Sequence, residues 1–274
     1  MTAGVHETIA SFRAAMDAER SAGRTVGLVP TMGYLHEGHA SLVRQAAAGC
    51  DVVAVTVFVN PTQFGAGDDF ERYPRDLDRD VEIASAAGAT HVFAPGVDEM
   101  YPAGAGAGLT TVQVRGVSEG MEGAARPGHF DGVATVVTKL FNIAGPCRAY
   151  FGEKDWQQLQ VVRRLVRDLD VPVEVVGCPI VREHDGLALS SRNVYLSPGE
   201  RRAATVLHRA LLAGKASLSP SSAGGTQPGD PVEAAKRAVE PEPLAELDYV
   251  EQHGDRLLIA ARVGTTRLID NLEL

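Results

Sequence analysis

The stretch DVVAVTVFVN, residues 51–60, is almost unbroken apolar and β-branched sequence. A strand of that kind has no solvent face, so it belongs inside a parallel sheet covered by helices on both sides. The chain keeps the same rhythm for most of its length. RTVGLVP reads as a short buried strand, and HVFAP, TTVQVR, RAYFG and VEVVGC as further strands. Between them lie segments of helical period. These are residues 5–20, with Ile9, Phe12 and Met16 on one face; ASLVRQAAAG, stopped by Gly49; residues 75–87; FDGVATVVTKLFNI; and DWQQLQVVRRLVRDL. Strands alternating with helices predict βαβ units and an α/β, doubly wound, Rossmann-like parallel sheet. Ligands of such sheets sit beyond the carboxyl ends of the strands.

The pattern changes near residue 185. A charged helix over about 198–215 precedes the Ser/Gly/Pro link SLSPSSAGGTQPGD, and a short helix precedes LDYVEQ, LLIAARV and TRLIDN, which read as a small antiparallel sheet. The expected organisation is a Rossmann-like domain over 1–184 and a smaller α+β domain over 185–274. A net charge of −9 argues against nucleic acid as a partner. No run of eighteen apolar residues spans a membrane, and the acidic, amphipathic N-terminus lacks the features of a secretion signal. Cys50, Cys147 and Cys178 are odd in number and set in apolar surroundings, which suits the thiols of a reducing compartment. The expected location is the cytoplasm.

Four polar clusters interrupt this apolar frame. LVPTMGYLHEGHASLVRQA places His36 and His39 three apart where a strand hands over to a helix. A helix N-terminus attracts phosphate, Gly33 and Gly38 let backbone approach a ligand, and imidazoles donate to phosphate oxygens. The spacing alone equally suits a capped helix with one packed and one solvated histidine. YFGEKDWQQLQ puts Glu153, Lys154 and Asp155 between a strand and a helix, a place for a phosphate-binding lysine or for a solvated charged loop. HDGLALSSRN sets Ser190, Ser191 and Arg192 behind Gly186, suited to a leaving pyrophosphate or to an interdomain turn. FVNPTQFGAGDDFERYP places Asn60 and Gln63 directly after the most apolar strand, where neutral amides can orient a small hydroxylated acid or where asparagine before proline simply opens a turn.

Taken together, PTMGYLHEGH, FVNPTQF, YPRDLDRD, EGAARPGHFDGV, FGEKDWQQL, DGLALSSRN and ARVGTTRLIDN resemble, in order, the motifs of the pantoate–β-alanine ligases. These belong to the nucleotidyltransferases with a His-x-Gly-His signature, and the resemblance spans about residues 24–271. It implies ATP-dependent condensation of pantoate with β-alanine through a pantoyl adenylate, with magnesium, in a homodimer. By this resemblance Met32, Gly33, Tyr34, Leu35, His36, Glu37, Gly38 and His39 form an ATP-binding segment, with His39 at the position of a proposed proton donor. Gly152, Glu153, Lys154 and Asp155 match a second ATP segment. Val181 matches a backbone contact to adenine, and Leu189, Ser190, Ser191 and Arg192 match a mobile phosphate loop. His36, His39, Lys154, Ser190, Ser191 and Arg192 carry the chemistry, while Gln63, Gln158 and Asn60 match the pantoate pocket. The smaller domain would act as a lid.

Two departures stand out. Tyr34 replaces a residue that is often small, and Arg79 replaces a common acid, which leaves Asp80 as the candidate magnesium ligand. A plain nucleotidyltransferase would need no second acceptor pocket, against which Gln63 and Gln158 argue. A non-catalytic nucleotide sensor would not need His36, His39, Lys154 and Arg192 together.

Overall fold

The computed structural model describes residues 2–65, 68–106, 108, 110–219 and 229–274. It divides into two compact units, Met1–Pro179 and Ile180–Leu274. The break precedes the expected position at residue 185 because Arg182 is already tied into the second unit. Its guanidinium forks onto the Asp270 carboxylate at 2.6 and 2.9 Å.

The first unit contains β1 (Gly4–His6), α1 (Ile9–Ser21), β2 (Val26–Thr31), α2 (Glu37–Gly49), β3 (Val52–Val57), α3 (Leu77–Ala87) and β4 (His91–Phe93). It continues through α4 (Val97–Met100), α5 (Met121–Ala125), α6 (His129–Ala144), β5 (Cys147–Gly152), α7 (Trp156–Asp168) and β6 (Val173–Cys178). Single 3-10 turns occupy Pro61–Gln63 and Glu153–Asp155. The six strands run parallel in the order β1-β4-β3-β2-β5-β6. Side chains alternate across this sheet. Leu28, Ala54, Phe93 and Phe151 pack with α1, α6 and α7 on one face. Val29, Val53, Val55, Val92 and Tyr150 pack with α2 and α3 on the other. Burial on both faces is what an unbroken apolar run such as VVAVTV requires, at about 1.5–3 kcal/mol for each large side chain removed from water.

The order fixes where a ligand can go. From β2 the chain adds β3 and then β4 to one side; β5 and β6 are laid down on the other side of β2. The reversal point lies between the carboxyl ends of β2 and β5, where an open α/β sheet leaves a crevice. Thr31 ends β2 and leads into Met32–His39, and Gly152 ends β5 and leads into Glu153–Asp155.

Three local expectations give way. TTVQVR forms no strand: the Val112 N–H donates to Thr135 Oγ1 on α6 at 2.9 Å, so a helix side chain takes the place of a sheet partner. The start of the expected 5–20 helix is instead β1, a three-residue edge strand paired in parallel with β4. The charged helix near 198–215 is two helices, because Thr205 Oγ1 donates to the Arg202 carbonyl at 2.8 Å and interrupts the backbone ladder.

The second unit comprises a 3-10 turn at Ser191–Tyr195, α8 (Pro198–Ala203), α9 (Val206–Ser217), α10 (Pro231–Val239), β7 (Ala245–His253), β8 (Arg256–Val263) and β9 (Thr266–Glu273). Its strands form an antiparallel sheet in the order β7-β8-β9. Leu207, Leu211, Ala235, Leu257, Ile259 and Leu268 form its core. Most of the Ser/Gly/Pro link, residues 220–228, lies outside the described residues. All three cysteines are free, and burial pushes the Cys147 thiol up to about 12 and the Cys178 thiol to about 11. Among the described residues no helix is long and apolar enough to cross a membrane.

One contact in the first unit admits no side chain. A Cβ on Gly132, near the start of α6, would lie 2.3 Å from the Thr62 carbonyl oxygen and 2.6 Å from the Gln63 nitrogen. Gly132→Ala is therefore expected to force α6 and the 3-10 turn apart and to cost about 1–3 kcal/mol in urea denaturation. A variant as stable as the parent chain would show that this approach is looser than described.

Candidate active site

The turn after β2 is built around one buried carboxylate. Gly33 and Tyr34 both take left-handed backbone, with φ of +84° and +50°. Glycine adopts this freely, but tyrosine does so at a cost. Asp80, on the first turn of α3 and 1% exposed, accepts the N–H of Tyr34 at 2.8 Å and that of Leu35 at 2.6 Å. Thr31 Oγ1 accepts the Gly33 N–H at 3.1 Å and itself donates to the Thr56 carbonyl at 2.5 Å. A Cβ on Gly33 would meet Asp80 Oδ2 and Val57 Cγ1, each at 2.9 Å. Burial raises the Asp80 pKa, while the two backbone donors pull it back. Asp80 is thus the anchor of the turn. Both its oxygens accept hydrogen bonds from the turn's backbone.

The anchored turn delivers the two histidines. His36 caps α2: its Nδ1 accepts the Gly38 N–H at 3.1 Å, and the Nδ1 of His39 accepts the His36 N–H at 3.3 Å. The pair forms a reciprocal capping box, with imidazoles in place of the usual Ser and Glu. With each Nδ1 accepting, the ring proton of each sits on Nε2. The rings lie 4.1 Å apart, centroid to centroid. Burial, then the Lys154 ammonium, depresses the pKa of His36 to about 4. Burial, then His36 and Lys154, holds His39 well below its ordinary value. At neutral pH the turn therefore carries two uncharged Nε2–H donors. The histidines do cap the helix, as the alternative sequence reading allowed, but they use only one edge of each ring for it.

The Leu35 side chain is fully buried in the core, so only its backbone borders the turn. Glu37 is exposed and ion-paired to Arg44. Gly152 caps the Glu153–Asp155 turn, and Lys154 Nζ lies 3.4 Å from Asp155 Oδ1.

A second group centres on Gln63, buried in the 3-10 turn after β3. Asn60 Nδ2 donates to Gln63 Oε1 at 3.1 Å and to the Gly132 carbonyl at 3.3 Å. Asn60 Oδ1 accepts from the Tyr101 hydroxyl at 2.8 Å and from Thr62 Oγ1 at 3.0 Å. Asn60 is 1% exposed and fully engaged, and it orients Gln63. Gln63 Nε2 donates to Met32 Sδ at 3.2 Å, a weak acceptor that is cheaply exchanged for a carboxylate or hydroxyl. The backbone of Gln63 is held too: its carbonyl accepts from His129 Nδ1 at 2.8 Å. Arg126 donates to His129 Nε2 at 3.1 Å and pairs with Asp68 at 2.8 Å. Burial lowers the His129 pKa to about 4, which keeps it neutral.

On α7 two adjacent glutamines differ. Gln157 is buried and occupied with the loop before α5, accepting from Glu122 N–H at 3.0 Å and donating to the Glu119 carbonyl at 3.0 Å. Gln158 is half-buried and has no hydrogen-bond partner among the described residues. Asp80, Arg126, His129, Gln157 and Tyr101 were not singled out as supports by the sequence. For His129 and Arg126 the signal was present in ARPGHFDG, but their target, the carbonyl of Gln63, is more than 60 residues away in the chain.

Val181, Leu189, Ser190, Ser191 and Arg192 belong to the second unit. There the Leu189 N–H donates to the Val181 carbonyl at 3.0 Å. Arg182 and Ala188 form an isolated antiparallel bridge. Ser190 caps the following 3-10 turn by accepting the Arg192 N–H at 3.3 Å, and Ser191 is buried.

A crevice at the reversal point of a parallel sheet, flanked by neutral histidine donors and a lysine, defines a Rossmann-like, nucleotide-binding class of α/β enzyme. Within that class the chain belongs to the pantoate–β-alanine ligase family, whose model matches residues 4–273. It is 57% identical to a pantothenate synthetase of Roseiflexus castenholzii, with 96% of each chain covered. It is 55% identical to that of Deinococcus radiodurans, over 93% of this chain and 95% of the other. A crystal structure of pantothenate synthetase from Thermus thermophilus superposes with a TM-score of 0.89 at 50% identity, covering 98% of this chain and 99% of that one. The Francisella tularensis pantoate–β-alanine ligase, complexed with β,γ-ATP and β-alanine, superposes with a TM-score of 0.84 at 32% identity, covering 99% and 97%.

Asp80→Ala leaves two buried N–H groups unpaired at a turn that already holds Tyr34 in an unfavourable conformation. The expected loss is about 2–4 kcal/mol of stability, with weaker nucleotide binding that excess magnesium does not repair. Recovery of activity at high magnesium, with melting unchanged, would make Asp80 a metal ligand instead.

Proposed function

We propose that Met32–His39 and Gly152–Asp155 take ATP in the crevice between β2 and β5, and that Gln63 and Gln158 take pantoate. The overall reaction is the family's own: ATP-dependent condensation of (R)-pantoate with β-alanine to pantothenate, AMP and pyrophosphate. In the first half, a pantoate carboxylate oxygen bonds to the α-phosphorus and the bond to pyrophosphate breaks, leaving pantoyl adenylate. In the second, the β-alanine amine bonds to the activated carbonyl, AMP departs, and the nitrogen gives up a proton.

The observation that carries this reading is the reciprocal His36–His39 cap. It fixes two Nε2–H donors at the start of α2, beside Lys154 and a helix N-terminus. Phosphoryl transfer needs positioning and charge stabilisation more than a covalent nucleophile, and donors set in advance supply both. Neutral imidazoles donate hydrogen bonds to the phosphates without having to surrender a proton, so His39 acts here as a donor of a hydrogen bond. Ser190, Ser191 and Arg192 take the departing pyrophosphate. Val181 offers its backbone to adenine.

Magnesium enters with ATP and is held by the phosphates. In support, Asp80 is engaged with backbone, and among the described residues no group of three acidic, histidine or cysteine side chains is suited to an ion. A C₂ homodimer is the commonest assembly for such an enzyme, and free thiols accord with the cytoplasm.

With ATP, magnesium and pantoate but no β-alanine, the protein should exchange labelled pyrophosphate into ATP. The exchange should vanish without pantoate. It should fall by roughly two orders of magnitude in His36→Ala or His39→Ala, and Gln63→Ala should raise the pantoate requirement far more than the ATP requirement. Release of ADP, or normal synthesis with no exchange, would rule out the adenylate.

A further inference from the structure

Arg79 stands one residue before the carboxylate that anchors the turn, on the first turn of α3. Its guanidinium lies over the ring of Tyr34, 5.0 Å from the centroid. Tyr34 is itself fixed, since its N–H is held by Asp80 and its backbone is locked in the left-handed region. The ring is therefore a platform at a set position, two residues from His36. Stacking engages the flat face of a guanidinium and leaves its five in-plane N–H groups free. Among the described residues that side chain makes no hydrogen bond or ion pair, although Asp76 and Asp78 are close to it in the same helix turn. Its charge also reaches the turn: Arg79 joins Lys154 in depressing the pKa of His36. A cation held on an aromatic shelf, with its fork unspent and its field on the capping histidine, is arranged to receive an anion.

We propose that Arg79, stacked on Tyr34, is a further phosphate-binding residue of this nucleotide site, donating its N–H fork to the polyphosphate of ATP. The assignment rests on the reading of Met32–His39 as the ATP segment. In that arrangement the Tyr34 ring holds the guanidinium and Arg79 supplies the charge. Tyrosine at position 34 costs backbone strain, but the pair adds a cation to the phosphate side of the crevice. Lys154 and the two neutral histidines otherwise supply a single formal positive charge in the first-unit cluster described above.

Calorimetric titration of the full chain with ATP, inorganic pyrophosphate and adenosine tests this directly. In Arg79→Ala, ATP and pyrophosphate should bind on the order of tenfold more weakly, with adenosine unaffected and the salt dependence of ATP binding reduced. Arg79 is exposed, so melting should not change. Tyr34→Leu, which removes the shelf, should move ATP affinity in the same direction, while Tyr34→Phe should keep the parent value. Unchanged ATP affinity in Arg79→Ala, or an equal loss for adenosine, would overturn the assignment of Arg79 and leave the rest of the site standing. A parent chain that binds no ATP would instead overturn the nucleotide reading from which the assignment starts.

Discussion

The two hydrogen bonds from the backbone of Tyr34 and Leu35 to the Asp80 carboxylate hold the site in register with the sheet. They compensate a buried charge and, with the same contacts, keep a tyrosine in left-handed backbone. A buried carboxylate without such donors would be strongly disfavoured, and the turn without the carboxylate would have no reason to keep its shape. His36 and His39 follow directly from that shape. Once Leu35 is pinned into the core, the chain enters α2 at an angle that lets the two imidazoles cap it reciprocally. Their neutrality and their Nε2–H tautomers then follow from burial and from those caps.

The same logic recurs at the acceptor side. Gln63 is presented by a network in which every participant is itself fixed: Asn60 by Tyr101, Thr62 and Gly132, and the Gln63 carbonyl by His129 and Arg126. Buried polar networks of this kind are favourable only when satisfied throughout. The one soft link is the bond from Gln63 to the Met32 sulfur, which also joins the acceptor side to the nucleotide turn. In the proposed function a substrate carboxylate or hydroxyl replaces the thioether at that N–H, a stronger acceptor for a weaker one.

Much of this was legible in the sequence, for a physical reason. VVAVTV can be buried on both faces only in a parallel sheet, and the amphipathic spacing of FDGVATVVTKLFNI has one natural place, against that sheet. The His-x-Gly-His turn and the GEKD turn were legible because both lie at strand ends. TTVQVR misled because β-branched residues satisfy a helix face as well as a sheet, and Thr135 supplied the partner that a strand would have supplied. The supporting roles of Asp80 and Asn60 were not legible, because an acid or an amide near a site reads first as a ligand group. The fold brings them partners distant in the chain: Asp80 lies 46 residues from Tyr34, and Asn60 lies 41 from Tyr101 and 72 from Gly132. No local spacing encodes such a pairing.

The fold holds His36 and His39 as neutral Nε2–H donors, and the proposed chemistry rests on that state. Nitrogen-15 NMR of the imidazole side chains, with His36→Gln and His39→Gln for assignment, reads tautomer and charge separately for each ring. At pH 7 both rings should be neutral, with the proton on Nε2 and with Nδ1 shifted as a hydrogen-bond acceptor. His36 should stay neutral down to about pH 4. An imidazolium at either position at neutral pH, or a proton on Nδ1 of either ring, would contradict this.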